Sequence, residues 1–140
     1  MNLYDFWNTL CVELEYRFFS GIPTEDFKLM HESMSPEFLH FVPTLDESLA
    51  LGLVSGAKLS GLNGAVMMGA RAFDLITPQF KGFNIFFNIP ALFIVDNDYN
   101  PLELHQRILE DDPTVINKLV NYINNTNESA ILVINKGTLL

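Results

Sequence analysis

Among the residues able to do chemistry, Glu47 has the most telling neighbours. It follows Asp46 and opens a run in which small and apolar residues recur at helical spacing, through Ala50, Val54 and Ala57. Burying a carboxylate at the head of such a helix is costly unless a polar group engages it. Two readings stay open. Glu47 charges the first turn of a helix, where the dipole favours an acid. Or it is a working carboxylate, because an apolar cleft raises its proton affinity and lets it share a proton with a weak base.

Other candidates are weaker. The fork of Arg71 suits a carboxylate, phosphonate or sulfonate, but Asp74 lies close by in sequence and a solvated arginine fits as well. Asp96-Asn97-Asp98 reads as a polar turn, with a divalent cation as the alternative. His105 is a candidate substrate-side group or a surface histidine on a helix expected over Leu102 to Leu109. His40 reads as a packed or edge residue and His31 as a solvated one on a helix face. Cys11, the single cysteine, sits on an apolar helical face and reads as a core thiol. One cysteine excludes an intramolecular disulfide and argues against a cysteine-based metal site. No Ser-His-Asp order, phosphate loop or zinc spacing occurs, and no metal-ligand set is assigned.

Composition narrows the partners. The 140 residues fit one domain with one core. Hydrophobic residues make up 49% and charged ones 18%, with a mean hydropathy of +0.19. That surplus points to a face buried against another chain or a second copy. Net charge is −9 and only eight Lys and Arg are present, which argues against nucleic acid and against an anionic membrane surface. No apolar run reaches the roughly 18 residues of a membrane span. The first residues lack the basic start of a signal peptide, so a cytoplasmic location is expected.

The elements that must position these residues alternate between strand and helix. Leu3, Phe6, Trp7, Leu10, Cys11 and Leu14 mark one face of a first helix. Tyr16 to Ser20 reads as an aromatic strand stopped by Gly21-Ile22-Pro23. Thr24 can cap the next helix, which turns Phe27, Met30 and Met34 inward. Phe38 to Val42 is a second strand, and Thr44 or Asp46 caps the helix carrying Glu47. Ala65 to Met68, Ala91 to Val95 and Ala130 to Ile134 are further strands. Phe73 to Phe83 is a helix broken at Pro78, and Pro113 to Asn124 is another. Continuous apolar strands alternating with helices predict an α/β fold with a parallel sheet covered on both faces. Ligands then gather at the carboxyl ends of the strands, the edge to which Glu47 belongs.

Four motifs carry a resemblance. Gly21-Ile22-Pro23 after an aromatic strand resembles the Gly-Val-Pro turn of thiamine-diphosphate enzymes. Asp46-Glu47-x-x-Ala50 followed by Gly56-Ala57 resembles their Asn-Glu-x-x-Ala…Gly-Tyr helix. Ile89-Pro90 running into Ala91 to Val95 is similar to a strand of that superfamily. Ile131 to Ile134 with Asn135-Lys136-Gly137-Thr138 resembles the close of the pyrimidine-binding (PYR) domain in phosphonopyruvate and sulfopyruvate decarboxylases. The order and spacing match over nearly the whole chain.

The resemblance implies a single PYR domain over residues 1–140, acting as one subunit of a two-chain thiamine-diphosphate-dependent 2-oxo acid decarboxylase. It implies that Gly21, Ile22, Pro23, Asp46 and Glu47 contact the cofactor, with Glu47 hydrogen-bonding a pyrimidine nitrogen and so promoting deprotonation of the thiazolium carbon. The diphosphate and its Mg²⁺ would be held by a separate PP domain with a Gly-Asp-Gly…Asn motif, which is absent from these residues. The expected partner is thus a PP-bearing subunit, in a homo- or hetero-oligomer, and the chain alone would be inactive. Two departures matter. The family's amide-rich Gln-Asn-Ser-Gly stretch is replaced by Gly69-Ala70-Arg71-Ala72-Phe73-Asp74. A basic glycine-rich loop is replaced by Asp96-Asn97-Asp98-Tyr99. They keep open an alternative, a degenerate PYR-like domain that binds a partner in a regulatory role without catalysis.

Overall fold

The computed structural model describes residues 1–37 and 39–135. Phe38, the expected start of the second strand, and the Lys136-Gly137-Thr138 motif lie outside the described residues.

Six strands form one all-parallel sheet in the order β2-β1-β3-β4-β6-β5. They are β1 (Tyr16–Gly21), β2 (His40–Pro43), β3 (Asn63–Met68), β4 (Leu92–Val95), β5 (His105–Ile108) and β6 (Ala130–Val133). The helices are α1 (Leu3–Trp7), α2 (Lys28–Ser33), α3 (Glu47–Leu59), α4 (Phe73–Gln79) and α5 (Thr114–Thr126). α1 and α4 each run on into a π-helical turn, Asn8–Glu13 and Phe80–Ile85.

β4 and β6 are apolar at every position, and β3 from Ala65 to Met68, because both of their faces are covered. Ala65, Met67, Leu92, Ile94, Ala130 and Leu132 pack under α1, α2 and α5. Val66, Met68, Phe93, Val95, Ile131 and Val133 point the other way, under α3 and α4. Cys11 is buried as expected, and burial pushes its thiol up to about 12 against the opposing charge of Arg17. It therefore stays protonated and unreactive at neutral pH.

Four local expectations differ from the structure. Leu102 to Leu109 is not a helix: His105–Ile108 is the edge strand β5, paired with β6. Its four residues carry no alternating apolar pattern, because an edge strand is held mainly by backbone bonds to its one neighbour. The helix after Phe73 passes through Pro78 rather than breaking there. The proline removes one backbone donor, and the turn widens just beyond it. Thr24 makes no side-chain cap bond and precedes a 3₁₀ turn, Glu25–Phe27. The small spine of α3, Ala50, Val54 and Ala57, is buried inside the chain, over β1 and β3, and is no free surface for a second copy. Among the described residues no helix is long and apolar enough to cross a membrane.

His31 is not a solvated residue either. Its ring packs against Phe41 (centroids 4.7 Å apart) and Phe27, and neither ring nitrogen has a partner among the described residues. Burial holds its pKa below the ordinary 6.5. The unfolded chain then binds more protons than the folded one just below pH 6.5, so His31's contribution is intact above that pH and is lost as the pH falls through the folded-state value. Replacing His31 with Phe is expected to flatten the fall of melting temperature with acidification below pH 6.5 relative to the native chain. Parallel thermal melts of the two proteins check this, and identical slopes refute it.

Candidate functional site

The fold creates a crevice where adjacent strands send their chains to opposite faces. β1 and β3 are neighbours. The chain leaving β1 reaches α2 on one face of the sheet, while the chain leaving β3 reaches α4 on the other. Gly21-Ile22-Pro23 and Gly69-Ala70-Arg71 therefore diverge at the carboxyl edge. α3 starts at that same edge after β2, which puts Asp46 and Glu47 there too.

Backbone contacts hold this edge together. The Thr44 N–H donates to the Gly21 carbonyl at 3.0 Å, tying the exit of β2 to the exit of β1. The buried Thr44 hydroxyl donates to the Asp46 carbonyl at 3.0 Å. Gly21 is required by space: a Cβ there would lie 2.0 Å from the Met67 carbonyl oxygen of β3.

Asp46 and Glu47 divide the two roles that the sequence left open. Asp46 is the cap, with its carboxylate accepting the Leu49 N–H at 2.7 Å. Glu47 is half-buried in the first turn of α3, and among the described residues no hydrogen bond or ion pair engages its carboxylate. Leu45 and Leu49, 96% and 51% exposed, stand next to it in sequence.

On the β3–β4 side the polar residues are tied to one another. Asp96 accepts the Ala70 N–H at 2.9 Å and the Asn97 side-chain amide at 3.0 Å. Asn97 accepts the Tyr99 N–H at 3.0 Å. Tyr99 donates its hydroxyl to Asp74 at 2.5 Å, which raises the phenol's pKa. The guanidinium of Arg71 lies 4.1 Å from the centre of the Tyr99 ring, a cation–π distance. Arg71 is thus an exposed arginine resting on Tyr99 rather than one poised alone. Among the described residues no group of three or more His, Cys, Asp or Glu is placed to hold a metal ion.

His105 is not brought to this edge. As the first residue of β5 it lies level with Ala130 and Leu92, at the amino ends of their strands. Its ring stacks on Tyr122 at 3.9 Å. His40 is exposed on the edge strand β2. A roomy apolar cleft of about 390 Å³, beside Trp7, Val12 and Leu39, also lies away from Glu47. Sequence reasoning passed over Tyr99 and Asp74 as a joined pair. They are far apart in the chain, and only the β3–β4 pairing brings their loops together.

No family model and no curated protein matches the chain. Solved structures do. The fold is similar to 2-oxoglutarate:ferredoxin oxidoreductase from Magnetococcus marinus, at a TM-score of 0.72 and 15% identity over 99% of this chain and 29% of that one. It is similar also to an enzyme of Mycobacterium smegmatis described as thiamin diphosphate-dependent, at a TM-score of 0.72 and 14% identity over 96% of this chain and 30% of that one. The chain thus spans under a third of either. At this identity the likeness establishes the fold alone, an α/β fold with a parallel sheet covered on both faces. One neighbour is an oxidoreductase, so decarboxylation does not follow from it.

Two expectations follow from this edge. Gly21→Ala should cost about 2–4 kcal/mol through collision with β3, whereas Gly69→Ala, whose Cβ would meet only Asp96 at 3.7 Å, should cost roughly 0.5 kcal/mol or less. Asp46→Ala should lose about 1 kcal/mol as a missing cap, and Glu47→Ala only about 0.3 kcal/mol. Urea denaturation of the four variants decides both. A Glu47 loss equal to that of Asp46 would make Glu47 a structural residue.

Proposed function

We propose that this chain is the pyrimidine-binding half of a thiamine-diphosphate-dependent enzyme, completed by a partner that carries the PP domain. The observation that carries this is the division of labour at the start of α3. Asp46 supplies the cap, and the Glu47 carboxylate is left without a hydrogen-bond partner among the described residues, in the first turn of a helix that starts at the carboxyl edge of the sheet. The fold shared with the Mycobacterium smegmatis enzyme described as thiamin diphosphate-dependent supports the same assignment.

The residues present fit half of the cofactor. A carboxylate at an apolar edge can hydrogen-bond a ring nitrogen and hold a proton there. Gly21, whose backbone runs hard against β3, Ile22 and Pro23 would shape one wall beside the ring, while Asp46 orients the turn from which Glu47 projects. A metal-bound diphosphate has no matching acidic cluster among the described residues, so its holder would be the partner's PP domain. When bound, the cofactor supplies a nucleophilic carbon and an electron sink for 2-oxo acid chemistry. Exposed Leu45, Leu49 and Leu75 near the start of α3 and on α4 offer apolar surface for the partner. Within this reading the substrate is a 2-oxo acid and the reaction its decarboxylation, with Arg71 on the substrate side.

The way Arg71 and Asp96 are occupied favours a second reading, a PYR-like domain that binds its partner without catalysis. Asp96, Asp74 and Tyr99 make the substrate side acidic and self-contained, a poor seat for an anion. Copurification with a protein bearing a Gly-Asp-Gly…Asn motif, followed by titration with thiamine diphosphate and Mg²⁺, separates the two. The catalytic reading expects cofactor binding by the pair, and it expects Glu47→Gln to cut turnover by about 10²–10⁴-fold without dissolving the pair. Unchanged turnover in that variant refutes the role of Glu47. A pair that forms but binds no cofactor refutes catalysis in favour of the second reading.

A further inference from the structure

α3 and α5 are both 13 residues long, yet their outer faces differ in kind. The exposed positions of α5 are polar, among them Lys118, Asn121, Asn124 and Asn125. Those of α3 are Leu49, Gly52, Gly56 and Leu59, on the side away from the buried Ala50, Val54 and Ala57. Its two charged residues do not interrupt this face. Glu47 stands in the first turn, and the Lys58 ammonium donates to Asn63 Oδ1 at 3.1 Å. A helix that is apolar on every side is normally buried on every side, and one side of α3 is bare.

The neighbouring segment continues this face. α4 and its π turn lie beside α3 and run the same way, since the Gln79 amide donates to the Ser48 carbonyl at 2.9 Å and the Asn84 amide to the Ser55 hydroxyl at 2.9 Å. Just beyond the π turn, Phe86 and Phe87 are 74% and 59% exposed. Their rings are braced: Phe87 meets Phe86 and Phe83 edge-on, with centroids 5.0 and 5.5 Å apart. At the end of α3, Leu59 and Leu62 are 67% and 55% exposed. These four side chains bare on the order of 500 Å² of apolar surface. With the flanking backbone, two copies meeting here would bury roughly 1,200 Å², the lower end of specific interfaces.

Glycine within this face serves nothing inside the chain. In a helix interior it costs stability relative to alanine. A Cβ at Gly56 would meet no atom within 4 Å, and one at Gly52 only the Gln79 amide at 3.9 Å. One turn apart, the two glycines leave the backbone of α3 open to close approach from outside.

Charge and shape select the occupant. The chain carries a net charge of −9, so an anionic lipid surface repels it. The face itself has no carboxylate to hold a cationic partner. An uncharged face is where two identical acidic chains repel each other least. The face also carries both halves of a fit, a braced ring cluster and a glycine gap, on adjacent segments. A two-fold axis along the groove between these segments sets the rings of each copy against the α3 backbone of the other, the reciprocal contact of an isologous dimer. The carboxyl edge is left free, because Leu59 ends the helix that Glu47 begins, about 18 Å away along its axis.

We propose that the outer face of α3 from Gly52 to Leu62, together with Phe86 and Phe87, is the contact surface of a homodimer, its occupant a second copy of this chain. The dimer does not depend on the function proposed for Glu47, and it leaves Leu45 and Leu75 to the other partner.

Sedimentation velocity of the full chain over a dilution series tests this. A monomer–dimer equilibrium in the micromolar range is expected. Phe86→Ser is expected to weaken it about tenfold or more, and Leu45→Ser, at the carboxyl edge, to leave it unchanged. Should Phe86→Ser fail to fold, Leu59→Ser replaces it. Gly56→Ala separates this role from a structural one. It is expected to raise the melting temperature of the dilute monomer, since alanine is the better helix former and has room, and at the same time to weaken the dimer. A chain that stays monomeric at high micromolar concentration overturns the proposal, whether or not it then binds phosphatidylcholine vesicles through Phe86. A dimer that Leu45→Ser dissolves and Phe86→Ser does not also overturns it.

Discussion

The close approach of β1 and β3 is the constraint on which the rest of the carboxyl edge depends. Gly21 and Gly64 sit on these facing strands, and a Cβ at either would enter the partner strand's backbone, 2.0 Å from Met67 O and 2.6 Å from Phe18 O. With no side chain at Gly21, its carbonyl accepts the Thr44 N–H, and that bond sets where the loop into α3 begins. The position of Asp46, and therefore of Glu47, follows from two strands packed too closely for alanine.

Charge is distributed around that geometry with little duplication. The dipole of α3 needs one acidic cap, and Asp46 provides it from the N-cap position with its carboxylate on Leu49 N–H. Glu47, one residue on, falls in the first turn, where the dipole still favours its charge but no backbone donor is engaged. On the neighbouring strands the opposite holds. Asp96 accepts the Ala70 N–H and the Asn97 amide, Asp74 takes the Tyr99 hydroxyl, and Arg71 rests on the Tyr99 ring, so these groups are engaged within the chain.

The two edges of the sheet are chemically distinct. At the amino edge helices end and strands begin, whereas the carboxyl edge collects helix starts and strand exits. His105 was expected either as a substrate-side group following the Asp96 loop or as a surface histidine on a helix over Leu102 to Leu109. The strand β5 moves it to the other end of the sheet. Parallel pairing has this consequence generally: a residue's place in a strand decides which edge it serves, and an error in the element moves it by the length of the strand.

Much of this was legible in the residues. Continuous apolar runs at Ala65–Met68, Ala91–Val95 and Ala130–Ile134 announce strands buried on both faces, because no other element so short has to hide every side chain. Gly21-Ile22-Pro23 and Asp46-Glu47 announce a turn and a helix start through backbone freedom and capping. Such local signals sufficed for the parallel sheet, for five of its strands and for the edge on which Glu47 lies. Tertiary structure alone decided the rest: that β5 is a strand, that Asp46 rather than Thr44 caps α3, that His31 is packed between aromatic rings, and that Arg71 rests on Tyr99. The physical reason is common to all four. Each depends on a partner distant in the chain or on competition among neighbouring groups, and a single sequence records the groups without recording which of them meet.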